Sequence, residues 1–330
     1  MADQLSYFLD SLQTTIPISE RLSLTEAGFC QILHHTVPAR VVISVPHDGM
    51  IPADFGHFHP RDKGPDGKRA VHGRDKHVWP IVNDILQIAE AANGAVDAVR
   101  FLVPRLYIDG NRAAQGSENP DPDTSHQTAF DDDRLLGLYF NYFEVIDHLI
   151  ARAVKHHGLK NVLFIDCHGF GKQPDIAPPE GFDLILGTDN RKTIRYDEPD
   201  RLFAGEMTDL GYQVFLPQEQ PTRPQGDPYS AGYTTINTAS VIGGNAMQIE
   251  IASRFRAAKE DTVRGKKLAT DIAGYRQALH FGVRYQPADR HPGASREVDS
   301  HLKCNSWRWE ENTSAGVLKP RHFLGVELRI

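Results

Sequence analysis

Residues 161–170 read NVLFIDCHGF. Val162, Leu163, Phe164 and Ile165 form an unbroken apolar run with β-branched and aromatic members. That is the pattern of a strand buried on both faces of a mostly parallel sheet. The run breaks off in Asp166, Cys167, His168 and Gly169. Ligands of open α/β sheets bind just past the carboxyl ends of the strands, so an acid and an imidazole arrive where chemistry is done. Asp166, two residues before His168, is also placed to orient the ring and fix which nitrogen stays free. On this segment alone, a strand end with a solvated histidine is an equal reading.

Working outward, VVISV at 41–45 repeats the pattern and ends in Pro46, His47, Asp48 and Gly49. Two strands thus end in a histidine beside an acid. A third strand is expected at 98–103, followed by Arg105 and then Asp109, Gly110, Asn111 and Arg112. Arginine beside asparagine after a strand suits bidentate capture of a carboxylate, although spacing alone favours a turn with a surface ion pair. MQIEI at 247–251 alternates as a half-buried strand does, placing Gln248 and Glu250 on one face. If that face is the core, Glu250 is a buried carboxylate in need of a partner; the other reading is a solvent-facing strand.

Further strands are expected at 182–186 and 212–216, and helices at 77–94, 134–157 and 199–210, with another, strongly amphipathic, from about Lys259 to Gly282. Asp75 sits where the N-cap of the first of these belongs and reads equally as a cap or as a functional acid. Residues 1–37 read as helical and turn segments, and 50–74, 113–133 and 217–235 as polar loops. The expected fold is α/β, a mixed, mostly parallel central sheet flanked by helices. It forms a single domain over 1–284, with a C-terminal extension at 285–330 packed on it.

Composition narrows the function. A chain of 330 residues with 40% apolar and 24% charged residues is that of a soluble globular protein. A net charge of −7 argues against nucleic acid or an anionic membrane as the main partner. The acidic, amphipathic N-terminus lacks a basic segment before an apolar core, so no signal peptide is expected. No run reaches membrane-spanning length. Cys30, Cys167 and Cys304 are odd in number and far apart, which disfavours a disulfide framework and points to the cytoplasm. No GxGxxG or P-loop opens a strand–helix unit, and there is no GxSxG elbow.

A nucleophilic triad is a weaker fit than metal chemistry, since Cys167 has no neighbouring base except His168. Two neutral imidazoles from separate strand ends plus one carboxylate make an open three-ligand zinc site, its fourth position left for water. A further carboxylate near that water would be its base, and an arginine would hold an anionic substrate.

Five motifs occur in order between residues 40 and 255: VPHDG at 45–49, PRxxxDGNR at 104–112, DCHG at 166–169, AGYTT at 231–235 and QIEI at 248–251. Together they resemble the N-formylglutamate amidohydrolase family, itself related to the zinc carboxypeptidase-like fold. The resemblance implies a phosphorylase/hydrolase-like architecture and a zinc-dependent amidohydrolase acting on the linear amide of a small N-formyl or N-acyl amino acid. It implies His47 and His168 as zinc ligands, Glu250 as the catalytic glutamate and Arg105 as a group polarising the scissile carbonyl. Asn111 and Arg112 would bind the substrate carboxylate, and Gly232 and Tyr233 would belong to the substrate loop. Two positions depart from the pattern. Met50 stands where carboxypeptidase-like relatives carry a ligating Glu, and Asp48 where the family usually has Ser. The third ligand must come from elsewhere; Asp75 is preferred to Asp48. The rival readings are a carboxypeptidase-like hydrolase of another amide or peptide, and a non-catalytic small-molecule-binding protein of the same fold.

Overall fold

The computed structural model describes residues 29–278 except 36, 50–54, 57, 62–71, 93, 116–126, 218–228 and 257–261. All of them belong to one unit, Met1–Val283. The helical segments expected before residue 29, the middles of the polar loops, the end of the last helix and the extension at 285–330 lie outside the described residues.

Seven strands form one mixed sheet in the order β1-β3-β2-β4-β7-β5-β6: β1 (Cys30–Leu33), β2 (Val41–Val45), β3 (Val96–Phe101), β4 (Leu163–Phe170), β5 (Leu184–Gly187), β6 (Val214–Phe215) and β7 (Asn245–Ala252). The four central strands β3, β2, β4 and β7 run parallel, while β1 on β3 and β5 on β7 are antiparallel. Helices α1 (Val78–Ala91), α2 (Leu136–His157), α3 (Pro199–Asp209), α4 (Tyr233–Ile242) and α5 (Thr262–Ala278) complete the described part.

Period-two alternation sorts the strand side chains onto two faces. Val41, Ile43, Leu163, Ile165, Met247 and Ile249 join one buried cluster with α1, α3 and α5. Val42, Phe164 and Ala246 join another with α2 and α4. Phe164 is fully buried, and its truncation to Ala would cost about 3–5 kcal/mol.

Register then decides where function falls. Ser44 stands opposite Asp166, Asp166 opposite Gln248, and His168 opposite Glu250. These five residues share the face of Val42 and Phe164, one or two rungs further along, so the α2 and α4 side of the sheet turns polar at its carboxyl edge. All eight residues of β7 are buried. The solvent-facing reading of Glu250 is therefore overturned, because the face that carries it continues the one covered by α2 and α4.

Two elements were not expected. β1 is a four-residue edge strand inside a stretch read as helix and turn. α4 begins at Tyr233, within the segment read as loop. The third strand starts and ends two residues earlier than expected, and β6 spans two residues where five were expected. The face of α5 that meets the core follows helical spacing, with Leu268, Ala269, Ile272, Ala273 and Tyr275 buried. Among the described residues no helix is long and apolar enough to cross a membrane.

Candidate metal centre

His47, just past β2, and His168, near the end of β4, are each 2% exposed. Their rings meet edge to face with centroids 4.7 Å apart. The two Nδ1 atoms face each other at 3.1 Å. Asp75 Oδ2 lies 3.3 Å from Nδ1 of His47 and 3.4 Å from Nδ1 of His168. The far nitrogen of each ring is held by a carboxylate: Nε2 of His47 donates to Asp109 Oδ1 at 2.6 Å, and Nε2 of His168 to Asp166 Oδ2 at 2.8 Å. Carboxylates on the Nε2 atoms fix the tautomers and leave both Nδ1 lone pairs directed inward.

With both Nε2–H groups turned outward, three acceptor atoms converge and repel one another unless a cation, a proton or a metal ion, lies between them. Tetrahedral ligands bound at about 2.0–2.1 Å lie about 3.3 Å apart, close to the separations observed among these three atoms. The donor set of two nitrogens and one carboxylate oxygen therefore fits a zinc-type ion. A proton is the alternative occupant. Burial works against charge on His168, but Asp166 and then Asp75 outweigh it and carry the imidazole up to about 10. Burial also opposes charge on Asp75, yet His168 and His47 hold its carboxyl well below the usual range.

Asp75 does not cap α1. That helix is preceded by His77 in a left-handed conformation with no side-chain cap. Its end is served from a distance, since Asp48 Oδ2 accepts from Trp79 N–H at 2.7 Å and Asp48 Oδ1 pairs with Arg74. Asp75 instead accepts from Gly169 N–H at 3.2 Å and faces the imidazoles. Of the two readings of Asp75 open in the sequence, the cap is excluded, and it is Asp48 that serves the helix end.

Glu250 is 6% exposed and its Oε1 accepts from Gln248 Nε2 at 3.0 Å. Burial lifts its carboxyl to about 7, against the pull of His168. Arg105 donates through Nε to Asp109 Oδ2 at 3.0 Å and through Nη1 to Gly73 O at 3.2 Å. Its Nη2 makes no hydrogen bond among the described residues. Asn111 is buried, with Nδ2 3.4 Å from His168 Nε2 and Oδ1 accepting from Thr234 N–H at 3.0 Å. Gly232, the residue before α4, lies so close to Asn111 that a Cβ would overlap its side chain. Arg112 turns Nη1 onto Asn111 O at 2.7 Å and Nε towards Gln127. Tyr233 packs its ring edge-on against Phe143, joining the α2 side of the core.

Asp109 has no role that the sequence alone assigns, although it opens the DGNR stretch. Its carboxylate gathers His47 Nε2–H, Asn111 N–H, Arg105 and, at 3.2 Å, Arg61. Ser44, hydrogen-bonded to Asp166, was likewise passed over. Only the register of β2 on β4 could have exposed that pair.

The sequence pattern of a known family, N-formylglutamate amidohydrolase, matches residues 39–255. Among solved structures, the chain is similar to an N-formylglutamate amidohydrolase from Ralstonia eutropha JMP134. The two share 20% identity over 76% of this chain and 98% of that one, with a TM-score of 0.50. It is also similar to a gene product of Agrobacterium tumefaciens, at 15% identity over 76% and 94% of the two chains, with a TM-score of 0.52. Those likenesses concern the fold. No curated protein matches the sequence.

Proposed function

The chain belongs to the N-formylglutamate amidohydrolase family, and from that premise we propose that it is a zinc-dependent amidohydrolase cleaving the amide of a small N-formyl or N-acyl amino acid. The observation that carries the reading is the convergence of His47 Nδ1, His168 Nδ1 and Asp75 Oδ2, with Asp109 and Asp166 behind the rings. His47, Asp75 and His168 hold the metal in this proposal. Zinc, when bound, supplies a Lewis acid that polarises the amide carbonyl and makes water a competent nucleophile at neutral pH.

The chain's own residues do the rest. Glu250, with a carboxyl lifted to about 7, is matched to taking a proton from the attacking water and returning it to the leaving amine. Arg105 offers its Nη2 edge to the carbonyl oxygen as negative charge develops there. Asn111 and Arg112 grip the substrate's carboxylate, with Gly232 and Tyr233 shaping the wall beside them. The buried, unpaired Cys30 and Cys167 suit a reducing compartment, and the cytoplasm is the proposed location.

The test is hydrolysis of a panel of N-formyl and N-acyl amino acids by zinc-loaded protein, each paired with its carboxamide. Turnover confined to acids bearing a free carboxylate is expected. Zinc binding without turnover of any amide would leave a binding protein, and faster cleavage of peptides would favour a carboxypeptidase-like role.

A further inference from the structure

Arg256 follows the short turn Ser253–Phe255 at the end of β7, its N–H donating to Ser253 O at 3.0 Å. Its side chain crosses back over the carboxyl ends of β4 and β7. Nε donates to Ile251 O at 2.9 Å, Nη2 to Phe170 O at 2.9 Å and Nη1 to Lys76 O at 2.8 Å. Each acceptor is a close chain neighbour of a residue in the site: Ile251 follows Glu250, Lys76 follows Asp75, and Phe170 lies two beyond His168. The guanidinium also lies against Gly169, where a Cβ would overlap it. Gly169 is the residue whose N–H binds Asp75.

We propose that Arg256 is a positioning residue of the metal centre, a single planar fork fixing the segments that carry Asp75, His168 and Glu250 against one another. The proposal rests on the amidohydrolase reading above and adds to it a residue one place beyond the matched family segment. The carbonyls of Ile251 and Phe170 lie near strand ends and that of Lys76 in the turn before α1, and buried carbonyls need donors. Arginine has five donors in a rigid plane and can serve three of them in different directions at once; a lysine ammonium is a point charge on a flexible stem. Burial lowers the proton affinity of the Arg256 guanidinium, and the carboxylates of Asp75, Glu250 and Asp48 offset that only in part. Nothing in this arrangement asks Arg256 to touch substrate. Small errors in ligand placement weaken a metal site, so the expected signature is in metal affinity.

The experiment uses the full chain and zinc ion, with affinity read by competition against a chromophoric chelator and folding read by the Tm of the metal-free form. Arg256→Ala should weaken zinc binding by about tenfold or more, within the range seen for groups that support metal ligands. Millimolar guanidinium should restore part of that loss, and Arg256→Lys should recover only part. Gly169→Ala should act alike without removing the arginine, because its methyl group displaces the guanidinium; added guanidinium should not rescue it. The double variant should be no worse than the weaker single, since both break the same contact. If Arg256→Ala fails to fold, Arg256→Lys decides in its place, by whether zinc affinity falls while the Tm of the metal-free form holds. A lowered Tm with wild-type zinc affinity, or fully additive losses in the double variant, overturns the proposal. Absence of zinc binding in the wild-type chain is a separate result: it removes the amidohydrolase reading first, and this inference with it.

Discussion

Glu250→Gln should make the metal-free protein more stable and leave the zinc-loaded protein nearly inactive. The substitution keeps the volume of a side chain that is 6% exposed, and its amide oxygen can still accept from Gln248 as Glu250 does at 3.0 Å. What disappears is a charge that burial disfavours, with the carboxyl lifted from 4.5 to about 7 against the opposing His168. At about 1.36 kcal/mol for each tenfold change in proton affinity, that displacement is worth about 3 kcal/mol. A raised pKa means that the folded chain holds the proton more tightly than the unfolded one. The contribution of Glu250 is therefore complete below pH 4.5 and is lost as pH rises through about 7. Glutamine suffers no such loss. Urea denaturation of chelator-treated protein should show a small advantage for the variant at about pH 5, growing to about 3 kcal/mol by about pH 8. Turnover of the zinc-loaded variant should fall by about 10²–10⁴-fold, the usual cost of removing a general base. A stability difference independent of pH, or near-normal turnover, refutes the assignment.

Asp48→Ala removes the acceptor for Trp79 N–H and the partner of Arg74. It should cost about 1–2 kcal/mol in thermal unfolding and leave zinc content at the wild-type level; loss of zinc would reinstate Asp48 as a ligand. Asp166→Asn replaces the carboxylate on His168 Nε2 with an amide, and chelator competition should show zinc bound about 10–100-fold more weakly. Arg112→Lys keeps the charge and loses the planar fork, so kcat/KM should fall for substrates with a free carboxylate and hardly change for their carboxamides. Equal losses on both would make Arg112 structural.

The strands β2 and β4 were legible because burial on both faces leaves a near-continuous apolar run, as in 41–45 and 162–165. The edge strand β1 was not: Gln31, Ile32 and Leu33 are only half-buried, and their order comes from pairing with Arg100, Val99 and Ala98 on β3. α4 carries Thr234, Thr235 and Thr238, β-branched residues that weaken a helix. Its first turn is held by a distant segment, with Thr234 N–H on Asn111 Oδ1 and the Thr234 hydroxyl on Gly110 O. A cap supplied from over a hundred residues away leaves no local signal. The same reason explains Asp48 and Asp75, whose roles depend on where the chain returns after the loop between them. At the site, His47 and His168 announced themselves by their place at the ends of apolar runs, whereas Glu250 stood out only by the alternation of its strand and the family resemblance. Asp109 did not, since it reads as an ordinary turn acid until His47 is brought beside it.

The central claim is that His47, Asp75 and His168 bind one metal ion, and zinc content by elemental analysis tests it most directly. Wild-type protein dialysed against trace zinc should carry close to one equivalent per chain. His47→Ala, His168→Ala and Asp75→Asn should each retain a small fraction of it while keeping their secondary structure by circular dichroism. A full equivalent of zinc in any one of the three folded variants would contradict the account at that residue, and no zinc in the wild type would contradict it altogether.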